Sequence, residues 1–282
     1  GFIFLCRKKH LPSHHRTKKL MTMKVMKRMF LGLSVLTIIA IGAGLWVLMG
    51  SKTSNPNNHK TVGDISAPWG YERIDGKDAA YSRFLRSLPL KERGAKVQLY
   101  TGGDARFQSL NYAILDLPLL SNAEQCADVC MRLRAEYLFQ TGQYSRIKFQ
   151  DVNGNTLTYG GGPSRKAFEK YLRHLYGVAS TFSLSREMKV RPLADMQPGD
   201  VFVYPARKGQ KYGHAVMVMD VAINKNGKKA FLLAEGNTPA REMHLMRNFL
   251  NPFRSPWFML DENADMLILS VFHYHSNELK HF

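Results

Sequence analysis

Ser121 to Gln140 reads S-N-A-E-Q-C-A-D-V-C-M-R-L-R-A-E-Y-L-F-Q. Its apolar positions Cys126, Val129, Cys130, Leu133, Tyr137 and Leu138 recur at helical spacing, with Arg132, Arg134 and Glu136 on other faces. Ser121 or Asn122 can cap the start, Glu124 suits the positive end of the helix dipole, and Gly142 stops the helix. The reading therefore puts Cys126 in the first turn or two, on the side that faces the core. A helix N-terminus stabilises a thiolate, so a cysteine there is a candidate nucleophile if a histidine base can reach it. Cysteine is also among the most buried residue types, and an inward cysteine is an ordinary packing residue. On the helix alone, packing is the expected role.

Downstream, the sequence turns from helices to strands. Met196-Gln197-Pro198-Gly199-Asp200 is a turn into Val201 to Tyr204. Gly213-His214 opens Ala215 to Ala222, and Asn224 to Lys228 turns the chain back into Ala230 to Glu235. Leu267 to His273 is expected as a fourth strand. Short strands joined by hairpins predict an antiparallel sheet. Helices gathered mainly before it make the expected fold class α+β. Upstream of the sheet, Asp78 to Ser87 reads as a short helix, and Val97 to Tyr100 and Tyr112 to Leu115 as strands around a Gly102-Gly103 turn. Arg146 to Gln150 and Thr156 to Tyr159 flank D-V-N-G-N as a hairpin, and Ser164 caps a basic helix to Tyr176.

A cysteine at the head of a helix, then G-D-V-F-V-Y, then G-H-A-V-M-V-M-D-V, then a strand ending in a polar residue, resembles the NlpC-type and CHAP-type branch of papain-like cysteine peptidases. The resemblance covers Asn122 to Asn237. It implies Cys126 as nucleophile, His214 as base and Glu235 in L-L-A-E-G-N-T-P as the residue that orients the histidine, with Asn237 as the fallback. Gln125-Cys126-Ala127 stands where that branch usually has Asp-Cys-Ser, and its third residue is more often His, Asn or Gln than Glu. Q-C-A-D with M-R-L-R-A-E-Y-L, together with S-P-W-F at Ser255, is similar to a family of exported bacterial proteins that supplies no function of its own.

The remaining candidates have plainer readings. Asp128 and Glu136 read as structural helix charges. Cys130 cannot bridge to Cys126, because an i,i+4 pair on a helix holds the two Cβ atoms beyond the ~4.5 Å of a relaxed disulfide. Two cysteines without a nearby histidine make a weak zinc signal, and His273 and His275 near the chain end read as surface histidines. No metal and no cofactor is implied.

Phe30 to Met49 carries no charge over twenty residues, enough to cross a bilayer core. Lys24, Lys27 and Arg28 precede it and Lys52 stands alone after it, so everything from about Ser51 onward is expected outside the cytoplasm. An uncleaved signal anchor in a bacterial inner membrane is the favoured form, with 1–29 as a basic cytoplasmic N-terminus, 50–68 as a polar linker and 69–282 as the folded domain. Met21, Met23 and Met26 each fit as an initiator, which would leave residues 1–20, with Cys6, His14 and His15, outside the natural chain; they are given no function. Of the formal charge of +18, residues 1–29 supply nine and the remainder nine (31 basic minus 22 acidic). A moderately basic surface suits an anionic cell wall, and without a basic run interleaved with aromatics nucleic acid is not an expected partner.

The expectation is a membrane-tethered, exported cysteine hydrolase of amide bonds, with peptidoglycan stem peptides as the substrate that the resemblance implies. The alternatives are a non-catalytic envelope-binding module on the same fold and an acyl-transfer enzyme acting on lipid.

Overall fold

The computed structural model describes residues 53–282. The expected membrane anchor at 30–49, the basic segment 1–29 and the residues Cys6, His14 and His15 lie outside the described residues. No helix among the described residues is long and apolar enough to cross a membrane.

In chain order the elements are β1 (Tyr71–Arg73), α1 (Ala79–Ser87), β2 (Asn111–Ile114), α2 (Cys126–Gln140), β3 (Lys148–Gln150), β4 (Thr156–Thr158), α3 (Arg165–Val178), α4 (Thr181–Glu187), β5 (Lys189–Val190) and β6 (Val201–Tyr204). Then come β7 (His214–Asn224), β8 (Lys229–Glu235), β9 (His244–Met246), β10 (Phe258–Met259), β11 (Met266–Leu269), β12 (Phe272–His275) and β13 (Leu279–His281). Nine strands form one sheet, ordered β2-β9-β8-β7-β6-β13-β5, with β1 pairing β7 and β10 pairing β8. Its pairs are antiparallel. The architecture is mixed α and β around a large antiparallel sheet.

β7 and β8 read as unbroken apolar runs because both faces of the sheet are covered. Ala215, Met217 and Met219 join Val129, Cys130 and Leu133 of α2 in one core. The alternate residues Val216 and Val218, with Phe231 and Leu233, form a second core with Tyr274 of the hairpin β11–β12. His214, Glu235 and His244 continue this second face at the strand ends, since each keeps the parity of its apolar neighbours.

Four sequence expectations change. The central helix starts at Cys126, not near Ser121, because Gln125 is the cap residue and its N–H donates to Asp128 Oδ2 at 2.9 Å. Ser121 instead stabilises a preceding turn by accepting the Ala123 N–H at 3.0 Å. Leu267 to His273 is not one core strand. It breaks at Ser270, whose φ of 60° is left-handed, into the separate two-stranded β11–β12 sheet. Val97 to Tyr100 makes only isolated bridges, from Gln98 to Asp104 and from Leu99 to Arg241. Finally, the expected linker packs against the domain from its first described residues. Asn55 is fully buried, its side-chain amide donates to the carbonyls of His59 and Lys91, and Val62 and Ile65 enter the first core.

Arg132 and Glu136, expected on faces other than the apolar one, are both buried. Arg132 bonds Glu124 at 2.7 Å and the Pro118 carbonyl at 2.8 Å, while Glu136 takes both arms of Arg165 at 2.6 and 2.8 Å. A buried guanidinium needs this full set of acceptors. The consequence is that the loop 118–124 is tied down along the flank of α2, which fixes the residues leading into Cys126.

Candidate active site

Cys126 is the first residue of α2, where the N–H groups of the opening turn have no partner inside the helix. The residue is 6% exposed and lines a cavity of about 320 Å³ with Gln125, Tyr176, Lys211, Tyr212 and Thr238. His214 opens β7 immediately after Gly213. Glycine is required there by close approach: a Cβ would meet the Tyr204 carbonyl oxygen at 2.2 Å and Thr181 Oγ1 at 2.5 Å. That contact locks the strand start against β6 and sets where the imidazole hangs.

The three expected residues come together. His214 Nε2 lies 2.6 Å from Glu235 Oε2, and the Cys126 thiol is near enough to the ring to raise its affinity for a proton. With Nε2 committed to the carboxylate, Nδ1 is the ring nitrogen left for the sulfur. Burial lowers the affinity of His214 for its second proton, but Cys126 and Glu235 outweigh it and raise the group to about 9. Burial pushes Glu235 up, and the bonds and charges of His214 and His244 outweigh that in turn, holding it down to about 2. A protonated imidazole between a thiol and a carboxylate is the arrangement that keeps a sulfur nucleophilic at neutral pH.

Asn237, the fallback for Glu235, does not take that role. Its Oδ1 accepts the Thr238 N–H at 2.8 Å, and it lines a second cavity of about 440 Å³ beside His214. Cys130 lies one turn deeper, is fully buried and donates to the Cys126 carbonyl at 3.4 Å. Burial, then the neighbouring Cys126, Asp128 and Glu235, push its thiol well above the ordinary range. Cys126 and Cys130 are both free thiols. Asp128 is buried too, and burial pushes its carboxyl well up despite the Gln125 N–H that it accepts. His273 and His275 are exposed on β12.

Three contributors escaped the sequence reading. Gln125 is fixed by Thr238, whose Oγ1 donates to Gln125 Oε1 at 2.7 Å, so its amide nitrogen is the end left for another acceptor. Phe272 of β12 stacks on the His214 imidazole with centroids 3.8 Å apart and planes 22° from parallel, covering one ring face. His244 of β9 sits 3.4 Å from the other oxygen of Glu235. The M-H-L-M run around His244 is too short for a period, and Phe272 was hidden in the strand expected over 267–273.

The chain matches the family described as "Domain of unknown function (4846)" over residues 62–161 and 160–281, and it belongs to that family. No curated protein and no solved structure matches it.

Proposed function

We propose that this chain is a cysteine hydrolase of amide bonds on a papain-like scaffold, held at the outer face of a bacterial inner membrane by residues 30–49 and acting on peptidoglycan stem peptides. The observation that carries the reading is the grouping of Cys126, His214 and Glu235 beside a cavity, with His214 bonded to Glu235 at 2.6 Å and its proton affinity raised by both neighbours. In that reading the Cys126 thiolate attacks the scissile carbonyl. The Cys126 backbone N–H and the free amide end of Gln125 are the donors available to the developing oxyanion. His214 gives its proton to the leaving amine and then takes one from the water that hydrolyses the thioester. Glu235 holds the imidazole orientation and stabilises its charge, and Phe272 keeps water from one ring face. The basic surface favours an anionic wall polymer as the source of substrate.

The test is amine release from a soluble stem-peptide fragment. Cys126→Ala and His214→Ala are each expected to abolish it, with the double variant scarcely worse than either single one, because residues that act as a unit are not additive. Glu235→Gln should cost less than Glu235→Ala, since glutamine still accepts the imidazole N–H. Release that survives Cys126→Ala removes the cysteine mechanism. A reactive Cys126 without release from any wall peptide removes the substrate and leaves the nucleophile.

A further inference from the structure

His244 is 1% exposed and stands beside Glu235, its directly paired neighbour across β8 and β9. Its two nitrogens have unlike partners. Nδ1 lies 2.9 Å from the Glu242 backbone carbonyl, which can only accept, so Nδ1 carries a hydrogen. Nε2 lies 3.4 Å from Glu235 Oε1, an ion-pair distance rather than a full hydrogen bond. If Nδ1–H were the only proton, Nε2 would present a lone pair to a buried carboxylate oxygen whose sister oxygen is already bonded to His214. Two lone pairs facing each other without water is a costly arrangement. A proton on Nε2 removes it.

We propose that His244 is a fourth member of the site: a positioning residue, protonated on both nitrogens, that clamps the second oxygen of Glu235 and so sets how strongly Glu235 holds the His214 imidazolium. This rests on the cysteine–histidine reading above and deepens it. Glu235 is then met from both sides, by His214 at one carboxylate oxygen and by His244 at the other. A lone Glu at the orienting position would hold the His214 proton too firmly to give it to a leaving amine. A cation on the far oxygen weakens that hold while keeping the carboxylate in place. Phe272 and Tyr274 on the hairpin side close this face of the sheet.

The other charged groups nearby leave this role to His244. From the loop before β9, the Glu242 carboxylate is taken by Lys91 at 2.6 Å and the Gln98 N–H at 3.2 Å. Arg241 adds a cationic influence on Glu235 but makes no ion pair with it among the described residues. From β2, the residue paired with His244 is Ile114, which carries no charge. Tyr204 and Tyr274 are pushed up by burial and stay neutral.

The test is the pH profile of Cys126 alkylation by iodoacetamide in the full chain, read by peptide mapping so that other cysteines do not interfere. Two inflections are expected in the wild type: the formation of the ion pair, then the loss of the His214 proton near pH 9. His244→Gln and His244→Phe remove the cation, so the upper inflection should move upward by about one unit. The glutamine variant keeps a donor and the bulk, which guards against a variant that fails to fold. In a Glu235→Gln background the same His244 substitutions should leave the inflection where it is, because His244 acts only through the carboxylate. A residue that merely packs would change rates or stability without moving the inflection. Two wild-type inflections with no movement in either His244 variant would overturn the role of His244 and leave the cysteine–histidine pair standing. A single wild-type inflection in the ordinary thiol range would take down both.

Discussion

Two clefts in this domain invite comparison. The larger, about 580 Å³, is lined by Asp78, Tyr81, Arg134, Arg191, Gly199 and Asp200, and the smaller, about 320 Å³, opens on Cys126. In the larger cleft the charges are already engaged with one another. Asp78 caps α1 through the Tyr81 N–H at 3.0 Å, accepts from the Tyr137 hydroxyl at 3.0 Å and pairs with Arg134 at 3.3 Å. Arg134 lies over the Tyr81 ring at 4.8 Å, and Arg191 pairs with Asp200 at 2.8 Å. The smaller cleft presents a thiol, with the His214 imidazole lining the adjoining cavity of about 440 Å³, and the amide end of Gln125 remains free to bind. Volume marks where something could fit, whereas an uncommitted nucleophile beside a base marks where something could react.

The largest expected effect breaks or keeps that comparison directly. Cys126→Ala should remove all amine release while the protein stays folded. Asp78→Ala should do the reverse, with turnover kept and stability lowered by about 1 kcal/mol through the lost helix cap. Thermal melts and the stem-peptide assay on both variants decide it. Turnover lost in a folded Asp78→Ala protein would move the chemistry to the larger cleft.

Next in size is a matched pair of glycines, one in each cleft. A Cβ at Gly213 meets the Tyr204 carbonyl at 2.2 Å, and one at Gly199 meets the Tyr81 ring at 2.5 Å from a backbone φ of 91°. Both Gly→Ala variants should lose about 1–3 kcal/mol by overpacking. Only Gly213→Ala should also slow Cys126 alkylation, because only it shifts the start of β7 and with it His214. Equal slowing in both variants would mean that the loss comes from general loosening.

The same contrast separates what could be read along the chain from what could not. The helix carrying Cys126 and the strands β6 to β8 announce themselves, since each is long enough to show a period or an unbroken apolar run. Their ends carry Cys126, His214 and Glu235, so these side chains could be placed at element termini from sequence. The start of α2 could not be fixed, because Gln125 outcompetes Ser121 and Asn122 only when the buried Arg132–Glu124 pair holds the preceding loop. β9 is three residues long, and nothing local distinguishes His244 from a loop histidine. Residues 53–65 read as a polar linker because they are ordered by side-chain amides such as Asn55, not by apolar spacing.

Selective labelling is a smaller effect that sharpens the site itself. At neutral pH Cys126 should react with iodoacetamide at least about tenfold faster than Cys130, whose thiol is fully buried and pushed well above the ordinary range. Peptide mapping after limited alkylation measures the ratio. Equal labelling would leave Cys126 as a packing residue.

The smallest effect is a slope, and it compares the clefts through their protons. Burial pushes Asp200 up to about 7 against the pull of Arg191, and His214 stands at about 9. Both groups bind a proton more tightly folded than unfolded, so each favours the native state below its unfolded value and loses that contribution as pH rises to its folded one. For Asp200 the loss runs from about pH 4 to 7, and for His214 from about 6.5 to 9. Denaturant midpoints measured across pH 5 to 10 should therefore fall in two stages. In His214→Asn the upper stage, on the order of 1 kcal/mol per pH unit, should vanish while the lower one remains. In Asp200→Asn the lower stage should shrink by the Asp200 share, leaving that of Asp128, and the upper one remain. An upper stage that persists without His214 would show that its proton is not held by Cys126 and Glu235, because no coupling to them would be left to lose as the ring deprotonates.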